Sequence, residues 1–163
     1  MSATDRPSSV PFLDALPAAT RQQLERLATT RDFPPGTRMF QEGTPHDDIH
    51  LIVAGHVRLE MFVPGRGRLP LLTLGPGDLV GWSPLFPGST MTATAVALEP
   101  VRTLSLNGRG VADLCQSDHE VGYHVMRQIV RVLSNRLLAT RLQLLDLFTD
   151  HQPSTGNPLD SEC

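Results

Sequence analysis

The sequence predicts an α+β fold: an antiparallel barrel of short strands, preceded by an N-terminal helix and followed by a long C-terminal one. Three observations carry that expectation. Apolar residues recur at helical spacing near the start of the chain. Beta-prone runs broken by Gly and Pro fill residues 31–107, with a turn signal roughly every ten residues. Helical spacing then returns and persists.

Bulk composition is compatible with this. The chain has 163 residues, of which 40% are hydrophobic and 19% charged, as expected of a globular domain. The 13 Gly and 14 Pro suit many turns. A net charge of −3 offers no basic field for nucleic acid.

Residues 1–10 are polar and are expected to be disordered. From Phe12 to Thr30 the spacing predicts a helix, with Pro17 in a first turn and Leu13, Leu16, Leu24 and Leu27 on one face. The clearest strand is His56 to Val63, where Val57, Leu59, Met61 and Val63 alternate with His56, Arg58, Glu60 and Phe62. About eight strands are expected, separated at Pro34-Pro35-Gly36, Gly43-Thr44-Pro45, Pro64-Gly65-Arg66-Gly67, Gly75-Pro76-Gly77 and Glu99-Pro100. Gly108–Ser117 reads as a short helix and residues 120–148 as one long helix. Residues 149–163 are polar with two prolines, and are expected to be a disordered tail. The folding domain is thus 11–148.

The stretch DLVGWSPLFPGSTMTATAVALE, residues 78–99, carries no charge between its ends. It is long enough to span a bilayer, but its Gly and Pro turns would leave backbone groups unpaired in lipid, so no membrane span is expected. The N-terminus has no apolar signal region, and Cys115 and Cys163 form neither a metal spacing nor a disulfide framework. A reduced, cytoplasmic chain is the expectation.

Catalytic constellations are thin. His46, Asp47, Asp48 and His50 crowd one turn, but within a strand the H-x3-H spacing would separate the two rings by about 13 Å. A solvated turn, not a metal site, is expected there. Cys115, four residues before His119, reads as a structural thiol. Neither a Gly-x-Ser-x-Gly elbow nor a phosphate loop occurs, so no enzyme is expected. FVPGRGRLP, with Arg66 and Arg68, reads as a hairpin loop.

Gly36, MFQEG at 39–43, DDIHLIVAGHVRL at 47–59 and GDLVGWSPLF at 77–86 share an order and spacing with one family. Over residues 12–148 the chain resembles the cyclic-nucleotide-binding domain of the catabolite-activator and kinase regulatory-subunit superfamily. The resemblance implies a β-roll or jelly-roll barrel whose residues 77 to about 96 form a phosphate-binding cassette. In that cassette a short helix aims backbone N–H groups at the cyclic phosphate. A Glu binds the ribose, and an Arg about ten residues later pairs with the phosphate. Here the Glu position holds Trp82, the Arg position Thr92, and Ala93 follows. An Arg fork on phosphate contributes about 3–6 kcal/mol. Without it, ordinary cAMP is not the expected effector. The pocket candidates are Gly81, Trp82, Ser83, Leu85, Met91, Thr92, Ala93 and Thr140. Thr140 matches a Thr that reaches the purine in the family, and is equally an ordinary helix residue. Trp82 reads either as a core aromatic or as a stacking platform.

Met126, Ile129, Leu133, Leu137, Thr140, Leu144 and Leu147 follow near-heptad spacing in the long helix, and Val125, Val132 and Ala139 form a second row. Two apolar rows imply two partners, the barrel and a second copy of the helix. The resemblance likewise implies a homodimer. No winged helix-turn-helix fits in residues 149–163, so direct DNA binding is not expected. The expectation is a stand-alone regulatory sensor for a cyclic nucleotide or related small effector, acting on a partner protein and using no metal or other cofactor. The alternative is a degenerate interaction and dimerisation module that binds no ligand.

Overall fold

A computed structural model describes residues 9–149, with the side chains of 147–149 outside the described set. Most of the two expected disordered segments, 1–8 and 150–163, therefore lies outside the described residues. Val10 is buried, and Thr149 closes the last helix.

The chain begins with two helices, α1 (Pro11–Asp14) and α2 (Ala18–Leu27), instead of one running to Thr30. Pro17 between them takes φ −53° and ψ 146°, an extended geometry that breaks the helix. Phe12, Leu13, Leu16 and Leu24 are buried as the apolar spacing requires, while Leu27 is exposed. Beyond Leu27 the β-branched pair Thr29-Thr30 lies in strand β1 (Ala28–Phe33), which pairs antiparallel with β8 (Val101–Asn107). Helical spacing in the sequence thus runs past the point where a strand partner takes over.

The remaining strands are β2 (Arg38–Phe40), β3 (Asp48–Ala54), β4 (Val57–Val63), β5 (Gly67–Leu74), β6 (Leu79–Val80) and β7 (Thr94–Ala97). They form two four-stranded antiparallel sheets, ordered β1-β8-β3-β6 and β2-β7-β4-β5. Ile52, Val80 and Val101 of the first sheet share one apolar cluster with Phe40, Val57, Leu59, Leu74, Ala95 and Ala97 of the second. This is the expected α+β barrel: two sheets closed over a common core. The β3–β4 connection, which crosses from one sheet to the other, needs glycine at Gly55 (φ +85°), where a Cβ would run into the Pro100 carbonyl and Val101.

In β4 the predicted alternation fails halfway. Val57 and Leu59 are buried, but so is Glu60, and Met61 is exposed. The register against β5 shifts between Leu59 and Glu60, where Leu71 is the extra residue of a bulge on β5. The buried Glu60 carboxylate is held by Arg58, whose Nε donates at 2.8 Å and whose Nη2 lies at 2.6 Å.

Helix α3 (Gly108–Ser117) is N-capped by Asn107, whose side-chain oxygen accepts from the Gly110 N–H at 3.0 Å. Asp118 Oδ1 does the same for the start of α4 (His119–Thr149), accepting from the N–H groups of Glu120 and Val121. The chain divides into two compact units between Gln128 and Ile129. The first holds both sheets, α1–α3 and the start of α4; the second holds the rest of α4. Among the described residues no helix is long and apolar enough to cross a membrane.

Candidate functional site

The charge-free stretch forms the connection from β6 to β7. Its start is fixed by backbone: the Gly77 N–H donates to the Ile52 carbonyl at 2.8 Å, and the Ile52 N–H to the Asp78 carbonyl at 2.9 Å. Asp78 Oδ2 also accepts from the Gly75 N–H at 2.9 Å, closing the turn. Gly81 (φ +75°) then redirects the chain out of β6. Its missing Cβ leaves room for Met91 and Phe40, each 3.1 Å from where that atom would stand.

The cassette helix that the resemblance implies is here a 3-10 turn of three residues, Ser83–Leu85. The N–H groups of Leu85 and Phe86 are spent on the carbonyls of Trp82 and Ser83, at 3.1 and 3.0 Å. Pro84, inside the turn, has no N–H to offer. Few donors therefore remain to aim at an anion. Gly108 at the head of α3 lies so close to Pro84 that a Cβ there would come within 2.5 Å of the Pro84 carbonyl oxygen.

The predicted pocket residues separate into two groups. Ser83, Leu85, Met91 and Ala93 are buried. Met91 and Ala93 belong to the core cluster, with Leu71 and Leu72 of β5 packed against it. Gly81 and Trp82 are half-buried, and Thr92 is exposed. The side chain that enters the roll at this level is thus Met91 and not its polar neighbour Thr92. Trp82 stands edge-on to Phe86, with ring centroids 6.0 Å apart. Thr140, in the second unit, donates its hydroxyl to the Arg136 carbonyl at 2.5 Å.

The far arm of the cassette is tied to the β2–β3 loop. The Gly43 N–H donates to the Met91 carbonyl at 2.8 Å, and the Met91 N–H to the Thr44 carbonyl at 2.9 Å. Thr94 Oγ1 accepts from the Glu42 N–H at 3.0 Å.

Sequence spacing misplaced His46 and His50. They are not an open turn with rings far apart. His46 lies ahead of β3 and folds back, so the two Nε2 atoms are 2.9 Å apart. His50 is 1% exposed, and its Nδ1 lies 2.7 Å from Ser105 Oγ, itself 3.0 Å from Thr103 Oγ1. Phe33 meets the His50 ring edge-on and Phe40 is stacked with it. Burial, aided by His46 and Arg31, pushes the His50 pKa down to about 3. Burial also lowers His46, against the pull of Asp48 and Asp47. The sequence signal for this was His50 itself, a polar residue inside the apolar run Ile49 to Val53.

Among the described residues no group of three or more His, Cys, Asp or Glu side chains is placed to hold a metal. Burial raises the Cys115 pKa, which disfavours the thiolate. A hollow of about 530 Å³ lies between Phe33, Pro34, Pro35, Pro100 and Val101, and none of the predicted site residues lines it.

Along α4, Met126 and Leu133 are half-buried and Ile129 is buried, while Leu137 and Leu144 are 54% and 53% exposed. The Leu147 side chain lies outside the described residues.

The chain is 34% identical over 135 residues to a CRP-like cAMP-activated global transcriptional regulator of Mycobacterium tuberculosis, which covers 82% of this chain and 56% of that protein. It therefore spans little more than half the length of that relative. The catabolite activator protein of Thermus thermophilus superposes with a TM-score of 0.66 at 27% identity, over 85% of this chain and 63% of that one. A cyclic nucleotide-binding domain from Methylobacillus flagellatus gives a TM-score of 0.76 at 18% identity, over 92% of this chain and 84% of that one, which speaks for the fold alone. Residues 30–118, from β1 through the cassette to the end of α3, match the family described as the cyclic nucleotide-binding domain. With its two four-stranded sheets over one core and its glycine-framed cassette, the chain belongs to the cyclic nucleotide-binding domain family.

Proposed function

We propose that this chain is a regulatory sensor whose cassette takes a small effector other than ordinary cAMP, and that it pairs with a second copy through α4. The observation that carries the reading is the neutral wall: Met91 and Ala93 occupy the interior where a phosphate would need a cation. A site lacking the Arg fork forgoes about 3–6 kcal/mol, or roughly two to four decades of affinity for a cyclic phosphate. Occupancy of the cassette would shift a two-state equilibrium only by its differential affinity for the two states. The chain would act on a partner protein, with neither catalysis nor DNA contact of its own.

Trp82, the single tryptophan, reports on the site directly. Titration of cAMP, cGMP and cyclic dinucleotides should leave its fluorescence nearly unchanged with cAMP at micromolar concentration and respond to a less anionic or flatter ligand. Submicromolar cAMP binding would overturn the neutral-wall reading. Silence towards every ligand favours the second reading, an interaction and dimerisation module. That reading is supported by the packing of Met91 and Ala93 into the core and of Trp82 against Phe86.

A further inference from the structure

We propose that the His46–His50 pair is an acid-released latch that fastens the β2–β3 loop, and with it the far arm of the cassette, to the wall of the roll. Three connections make it one mechanical unit. His50 is anchored in β3 through Ser105 and Thr103 of β8, at 2.7 and 3.0 Å. His46 reaches back from the loop to His50 at 2.9 Å. Three and two residues before His46, Gly43 and Thr44 exchange backbone hydrogen bonds with Met91 of the cassette. Releasing His46 would free the segment that holds Met91.

A short bond between two Nε2 atoms needs one N–H donor and one bare nitrogen acceptor. Two neutral rings satisfy this, and so does a pair with one proton added to His46. Two imidazolium rings do not, because N–H would face N–H at hydrogen-bond distance. The surroundings set the direction. Arg31 of β1 and Asp47 and Asp48 are the charged groups facing the pair, and Arg31 Nη2 is ion-paired with Asp48 Oδ2 at 2.9 Å. From β8 come hydroxyls, and from β1 and β2 come Phe33 and Phe40. Among the described residues no carboxylate touches His50 in this cage to neutralise a second proton. The closed latch therefore holds fewer protons than the open one, and acid favours opening. For one histidine kept neutral when closed and free to titrate when open, the open-to-closed ratio rises about tenfold between pH 7.5 and 5.5.

Hydrogen exchange by NMR on the full chain tests this without any ligand, so the result stands apart from the effector reading. The amides of Gly43 and Met91 should lose about tenfold in protection from pH 7.5 to 5.5, relative to those of α3 and after correction for the intrinsic rate. In His50→Gln the buried titrating ring is gone and the amide oxygen accepts from His46 Nε2–H whether that ring is neutral or charged, so the drop should shrink below about threefold. An equal drop in both proteins, a drop shared by α3, or none in the wild type overturns the latch. If His50→Gln does not fold, the imidazole ¹⁵N shifts of the wild type decide. His50 staying neutral as a single tautomer at pH 5.5 supports the latch, and an ordinary midpoint for His50 overturns it.

Discussion

Gly81 turns its bare Cα towards Met91: a Cβ placed there would stand 3.1 Å from Met91 Cε, in a backbone with φ +75°. The residue that ends β6 and the residue that occupies the cassette interior thus fix each other's identity. Glycine permits both the turn and the approach, and methionine fills the space so vacated with a flexible, uncharged chain.

Gly81→Ala should therefore destabilise the fold by about 1–3 kcal/mol, from the left-handed backbone and from the displacement of Met91 and Phe40. Urea unfolding followed by Trp82 fluorescence would show a lower midpoint at an unchanged slope. Gly88→Ala has the same positive φ but open space around it, and isolates the backbone contribution. A variant pair with equal losses would mean that the contact with Met91 carries no energy.

The inward position of Met91 gives a gain-of-function test. Met91→Arg should raise affinity for cAMP by at least about tenfold, because a guanidinium aimed into the roll can fork the cyclic phosphate. Thr92→Arg, one residue on and exposed, should leave affinity unchanged. The unliganded Met91→Arg protein should be less stable, having placed a charge in an apolar cluster, and cAMP should restore part of that loss. Calorimetric titration of both variants reads the difference, and a gain in Thr92→Arg alone would reverse the assignment of the inward side chain.

How much of this was legible in the sequence depends on where each signal is stored. The glycine frame was readable because Gly55 and Gly81 sit where the backbone itself demands them. Helices α3 and α4 were readable because periodicity and capping residues agree. The end of α2 was not, because Ala28 to Phe33 can be either state until β8 pairs with it. The bulge in β5 left no local mark, since Leu71 looks like part of a regular strand until the register against β4 shifts. The histidine pair was missed for the same reason in three dimensions: a loop that folds back is invisible to a spacing rule written for strands.

The buried histidine makes stability pH-dependent in a stated direction. His50 has its folded pKa pushed down to about 3, below the ordinary 6.5 of an unfolded chain. Its stabilising contribution is therefore complete above pH 6.5 and is lost progressively as pH falls towards 3, since the unfolded state takes up the proton first. By pH 5.5 that loss amounts to roughly 1.4 kcal/mol. Denaturant midpoints measured at pH 7.5 and 5.5 should differ accordingly, and a flat profile would show that the ring accepts a proton in place.

The exposed leucines of α4 supply the last test. Leu137 and Leu144, one heptad apart, are each more than half exposed, and Leu138, Leu142 and Leu145 beside them are exposed too. A run of this kind along one helix is costly in water and is relieved by covering it, at about 1.5–3 kcal/mol for each fully buried leucine. If a second copy covers it, Leu144→Asp removes that burial and sets two carboxylates face to face across a two-fold axis. The dimer dissociation constant should rise by at least about a hundredfold, read by sedimentation equilibrium. Leu145→Asp lies a step around the helix and should cost less, which distinguishes a seam from general loss of apolar surface. Equal effects at 144 and 145, or a wild type that is monomeric at every concentration tested, would remove α4 as the dimer contact.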